Sequence, residues 1–114
     1  MLSLTRLVLA ACAVAVLTFA VLTTTAGARG STVKVGDDFF SPTEKTVSAG
    51  TKVKFNWIGT DKHNVVKKKG PGGDFASGVL KGSGVLYKHK FKKAGTYRII
   101  CTIHDDMKMK LHVN

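Results

Sequence analysis

An all-β antiparallel sandwich is the fold class this sequence predicts, and three observations predict it. Beyond residue 30 no segment carries the apolar stripe of an amphipathic helix. Apolar and polar residues instead alternate with period two in roughly seven short runs. Glycine-rich turns separate those runs, and Ala-Gly-Thr occurs twice, at 49–51 and 94–96, each time opening a run. Short strands at this spacing are the signature of two packed sheets.

Thr32-Val33-Lys34-Val35 reads as the first strand, broken by Phe39-Phe40-Ser41-Pro42, and Lys45-Thr46-Val47 as a short second one. Val53, Phe55 and Trp57 alternate with Lys52, Lys54 and Asn56, which puts one apolar face inward. A turn at Gly59-Thr60-Asp61 leads to a strand over 63–66, and the charge run Lys67-Lys68-Lys69 reads as a solvated loop. Gly70-Pro71-Gly72-Gly73 is a loop signal. Asp74, Phe75 and Ser77 are expected only to connect. Val85, Tyr87, His89 and Phe91 alternate through the next strand, followed by one over 96–100 and a last one carrying Met109, Leu111 and Val113. His89 and His112 fall within these strands and are read as ordinary surface residues.

The chain has 114 residues, enough for one small domain. Residues 1–28 read as an N-terminal signal segment or membrane anchor: Arg6 is a positive n-region, residues 7–22 are almost wholly apolar, and Ala26-Gly27-Ala28 has the form of a cleavage site. Leu9-Ala10-Ala11-Cys12 resembles a lipobox, but the apolar run before Cys12 is too short for an h-region and continues well past it. Either reading sends residues 29–114 out of the cytoplasm, to the periplasm or the exterior, free or tethered to the outer face of the membrane. The exported part then keeps one cysteine, Cys101, which cannot form an internal disulfide. A lone thiol in an oxidising compartment is a liability unless something occupies it.

Without residues 1–28 the chain carries 17 Lys and Arg against 7 Asp and Glu, a net +10. Such a field favours acidic proteins or anionic surfaces, and the export signal argues against nucleic acid as the target. No Ser-His-Asp arrangement, phosphate-cradling glycine loop or catalytic carboxylate pair stands out.

Chemistry concentrates in Cys101-Thr102-Ile103-His104-Asp105-Asp106-Met107, with His63-Asn64-Val65 upstream. The segment connects the last two strands, and a short loop can aim Cys101, His104 and Met107 at one point. Loops of a sandwich gather at its two ends, so His63 can meet them there. Two imidazoles, one thiolate and one weak thioether compromise between the soft donors Cu(I) favours and the imidazoles Cu(II) favours, the blue-copper donor set. Four protein donors leave no position for substrate, unlike a catalytic metal site, so no enzyme is expected. Met109 is the alternative axial donor, although alternation assigns it to the core.

Cys101-x-x-His104-x-x-Met107 with upstream His63-Asn64-Val65 resembles the plastocyanin-like cupredoxins, and the two-residue gap from His104 to Met107 is similar to the short ligand loop of amicyanin. The resemblance covers essentially residues 31–114. It implies a Greek-key β-sandwich holding one type 1 copper ion, with His63, Cys101 and His104 as equatorial ligands and Met107 axial. It further implies that Asn64 locks the two ligand loops, that electrons leave through His104, and that a monomer shuttles single electrons between redox-partner proteins. The family often has Pro, Gly or an aromatic residue between the second His and Met. Asp105 and Asp106 stand there instead, an acidic spot where an apolar docking patch is usual. Two rival functions share this sequence: copper delivery or storage through the same site, and a metal-free β-sandwich interaction module.

Overall fold

The computed structural model describes residues 31–114, so the segment expected to direct export, 1–28, lies outside the described residues. Eight strands form: β1 (Ser31–Gly36), β2 (Phe39–Ser41), β3 (Glu44–Val47), β4 (Thr51–Trp57), β5 (Val66–Lys69), β6 (Gly84–Phe91), β7 (Gly95–Ile100) and β8 (Lys108–Val113). They build two four-stranded sheets, ordered β2-β1-β4-β6 and β3-β8-β7-β5. The alternation read from sequence becomes the packing of the sandwich. Val33, Val35, Val53, Phe55 and Trp57 of the first sheet are buried against Tyr97, Ile99, Met109, Leu111 and Val113 of the second. Each such side chain contributes about 1.5–3 kcal/mol by leaving water. Met109 is thereby a core residue, as its alternation with Lys108 and Lys110 requires.

Pairing departs from the antiparallel expectation in two places. β1 runs parallel to β4 and β3 runs parallel to β8, whereas the other four pairings are antiparallel. The chain changes sheets between β2 and β3 and again between β3 and β4, and such crossovers are what bring parallel strands side by side. Phe39-Phe40-Ser41, read as a break, is a strand. Phe40 pairs with Val35 and is buried, while Pro42 lies just outside the ladder.

The lysine run is the second correction. Lys67, Lys68 and Lys69 belong to β5, which pairs with β7, and Lys67 is buried. Its ammonium donates to the carbonyl oxygens of Pro71, Gly72 and Gly73 at 3.2, 2.8 and 3.0 Å, which satisfies all three N–H bonds. The segment read as mere connection does more as well. Phe75 stacks on His89 with ring centroids 4.0 Å apart, and the Ser77 hydroxyl accepts the Val65 N–H at 2.8 Å. His112, on the surface as expected, sits 2.6 Å from Glu44 and holds that carboxylate below its usual pKa.

Strand directions bring the ends of β1, β4 and β7 and the starts of β5 and β8 to one pole. The β1–β2 turn, the β4–β5 loop and the β7–β8 loop therefore share that pole.

Lys67→Ala removes three charge-assisted bonds and is expected to cost about 2 kcal/mol in urea unfolding. Burial, and then the Lys67 charge, push the pKa of His89 below its ordinary 6.5. The folded state thus binds this proton less readily than the unfolded chain, so stability is complete above that value and falls as pH drops below it. Between about pH 7.5 and about pH 5.5, His89→Phe should lose less stability than the wild type when their denaturation midpoints are compared.

Candidate metal centre

Three side chains from two loops converge at this pole. Cys101 follows β7, His104 lies in the loop after it, and His63 comes from the loop between β4 and β5. One donor atom each of His63, Cys101 and His104 lie within 4.8 Å of one another. Cys101 Sγ is 3.7 Å from His104 Nδ1, and the two imidazole centroids are 4.7 Å apart. His63, Cys101 and Met107 are buried, whereas His104 keeps 23% of its side chain exposed and forms the site's opening to solvent.

Local structure explains the convergence. The Cys101 N–H donates to the Met107 carbonyl at 2.9 Å, closing the ligand loop on itself. Asp106 allows that reversal by adopting φ +60°, a left-handed conformation that Asp tolerates better than most residues. The two ligand loops are tied by a reciprocal pair of bonds. Asn64 Nδ2 donates to Thr102 Oγ1 at 2.7 Å, and the Thr102 N–H donates to Asn64 Oδ1 at 2.8 Å. His63 is not within a regular strand; it bridges to Leu80, exchanging N–H···O bonds of 3.0 and 2.9 Å that fix its backbone.

The decisive atom is His63 Nδ1, which is buried with no hydrogen-bond partner, although buried polar atoms are nearly always paired. The other ring nitrogen, Nε2, is committed to Asp37 Oδ1 at 2.7 Å. An imidazole held by one nitrogen with the other free beside a thiol is arranged as a metal ligand is. His63, Cys101, His104 and Met107 are positioned to ligate one ion, and their two nitrogens and two sulfurs fit copper.

Asp37 and Asp38, in the β1–β2 turn, escaped the sequence reading. Asp37 also accepts the Thr60 N–H at 2.7 Å, the Asp61 N–H at 3.0 Å and the Thr60 hydroxyl at 3.1 Å. The bond from the Thr60 backbone, followed by that to His63, drives its pKa far below the usual carboxylate range. Asp38 Oδ1 lies 3.3 Å from His104 Nε2. Paired acids in a turn beside a strand were the available signal, but reading it required β2, without which no hairpin placed them at this pole. The pole is not only acidic: Phe39 at the start of β2, Ile58 on the β4–β5 loop and Ile103 on the β7–β8 loop are exposed, so apolar surface accompanies Asp105 and Asp106.

Gly59 makes room for this network, since a Cβ there would strike the Asp37 carboxylate. Gly59→Ala should destabilise the metal-free protein by about 1–3 kcal/mol in thermal unfolding, and by less when Asp37 is also Ala.

Comparison with known proteins agrees with this geometry. The family model for the cupredoxin-like domain matches residues 8–113. Amicyanin-alpha of Methylorubrum extorquens is 40% identical over 88 residues, 74% of this chain and 72% of that protein. Plastocyanin A/B of Petroselinum crispum is 34% identical over 89 residues, 68% of this chain and 92% of that protein. Among solved structures, the Cu-containing nitrite reductase of Thermus scotoductus SA-01 superposes with a TM-score of 0.68 at 27% identity over 75% of this chain, which spans 22% of the reductase chain. The chain belongs to the cupredoxin-like family.

Proposed function

We propose that this protein is an exported type 1 copper protein that carries single electrons between redox partners and is not itself an enzyme. The unpartnered, buried Nδ1 of His63 beside Cys101 and His104 carries the reading. His63, Cys101 and His104 hold the ion as the strong ligands and Met107 as the weak one. Asn64 keeps the two ligand loops in register. When bound, copper alternates between Cu(I) and Cu(II) and so stores one electron.

The chain's own part is to hold the donors still. His63 is fixed through Nε2 and its backbone, and Cys101 follows directly on a strand paired along its whole length with β8. Ligands fixed in advance need little rearrangement between oxidation states, which favours rapid transfer. His104, the one partly exposed donor, is where a partner's orbitals come within reach. Exposed Phe39, Ile58 and Ile103 offer that partner apolar contact. Residues 1–28 act as a signal or as an anchor that leaves residues 29–114 on the far side of the membrane, which accounts for a single unpaired thiol outside the cytoplasm.

Adding Cu(II) to the metal-free protein should produce an intense blue thiolate-to-copper band and a reversible one-electron wave. Both should be lost in Cys101→Ser. A folded protein that stays colourless rejects the assignment. A blue protein that surrenders its copper to an acceptor and does not cycle favours delivery over transport.

A further inference from the structure

The β1–β2 turn places one carboxylate against the outer nitrogen of each imidazole: Asp37 Oδ1 at 2.7 Å from His63 Nε2 and Asp38 Oδ1 at 3.3 Å from His104 Nε2. The two carboxylates differ in setting. Asp37 is anchored by both backbone N–H groups of the 60–61 turn and is the more enclosed, its side chain 31% exposed. Asp38 has no comparable backbone partner among the described hydrogen bonds, and its side chain is 47% exposed. Asp37 therefore braces the buried imidazole from a fixed point, while Asp38 reaches the solvent-side imidazole from the rim.

We propose that Asp37 and Asp38 are positioning residues that brace both imidazole ligands from outside and bias the bound copper toward its oxidised state, an inference that rests on the copper reading above. Two physical effects act in the same direction. Asp37, accepting the outer N–H of His63, makes that imidazole a stronger donor, as partners beyond the ligands do in many metal sites. A fixed negative charge close to the ion also stabilises a charge of +2 more than a charge of +1. The exposed Asp38 is screened by salt, whereas the more enclosed Asp37 is screened less. The two contributions are thus separable by ionic strength.

The test uses the copper-loaded full chain and its Asp37→Asn and Asp38→Asn variants, with the reduction potential measured at low and high salt. Asn removes the charge and largely retains shape; at Asp37 its single oxygen can still accept the His63 N–H, while the bonds that Asp37 Oδ2 accepts from Thr60 are given up. Each variant is expected to raise the Cu(I):Cu(II) ratio at a fixed applied potential by about tenfold at low salt, equivalent to about 59 mV for one electron. The Asp38→Asn effect should shrink at high salt and the Asp37→Asn effect persist. Asp38→Ala should additionally broaden the spectrum of Cu(II), because the imidazole loses its outer support. Should Asp37→Asn fail to fold, the half-exposed Asp38 still decides the matter. A blue wild type whose potential is unmoved by Asp38→Asn overturns this inference and leaves the copper reading standing. A wild type that forms no blue band overturns both.

Discussion

Asn64 and Thr102 lie 38 residues apart, and each donates one hydrogen bond to the other. This reciprocal pair of hydrogen bonds fuses the two ligand loops, which the strands alone bring only into the same neighbourhood. Four donors on independent loops would each spend conformational entropy to meet an ion. Here most of that ordering is achieved by folding. The closing bond from the Cys101 N–H to the Met107 carbonyl does the same within the loop that carries Cys101, His104 and Met107.

The sandwich beneath them is the reason these loops can be rigid. β7 ends at Ile100 and β8 begins at Lys108, and both strands are buried through alternate residues, so the seven positions between them span two fixed posts. His63 hangs from no regular strand, and its support is of another kind: a two-bond bridge to Leu80 behind it and a carboxylate beside it. The free energy that makes the site stiff is thus spread across ladder, bridge and carboxylate. The outcome is an imidazole with Nε2 bound to a carboxylate and Nδ1 buried beside the thiol without a hydrogen-bond partner, as a metal ligand requires.

Much of this was legible in the residues. Strands with strict alternation, such as Val53-Lys54-Phe55-Asn56-Trp57, declare both their conformation and their buried face. The donor types also declare themselves, because a thiol, two imidazoles and a thioether together are the donor set of a blue-copper site. Strand direction was not legible, since period-two alternation is the same read either way, and so the two parallel pairings went unseen. Lys67 was misread because a lysine's burial depends on three carbonyls that only the folded glycine loop presents. Asp37 and Asp38 were invisible for a related reason. Their role is created by a hairpin whose second strand, Phe39–Ser41, looked like a break next to a proline.

Of the seven carboxylates in the chain, five (Asp37, Asp38, Asp61, Asp105 and Asp106) fall in the three loops of the ligand pole, on a molecule whose net charge is +11. The body is consequently a large electric dipole with its negative tip over the exposed imidazole. A charged object approaching through dilute electrolyte exerts a torque on such a body before contact, within a few screening lengths of about 8 Å at physiological salt. A cationic surface turns the molecule tip-first, whereas an anionic one turns it flank-first and keeps the tip pointing away.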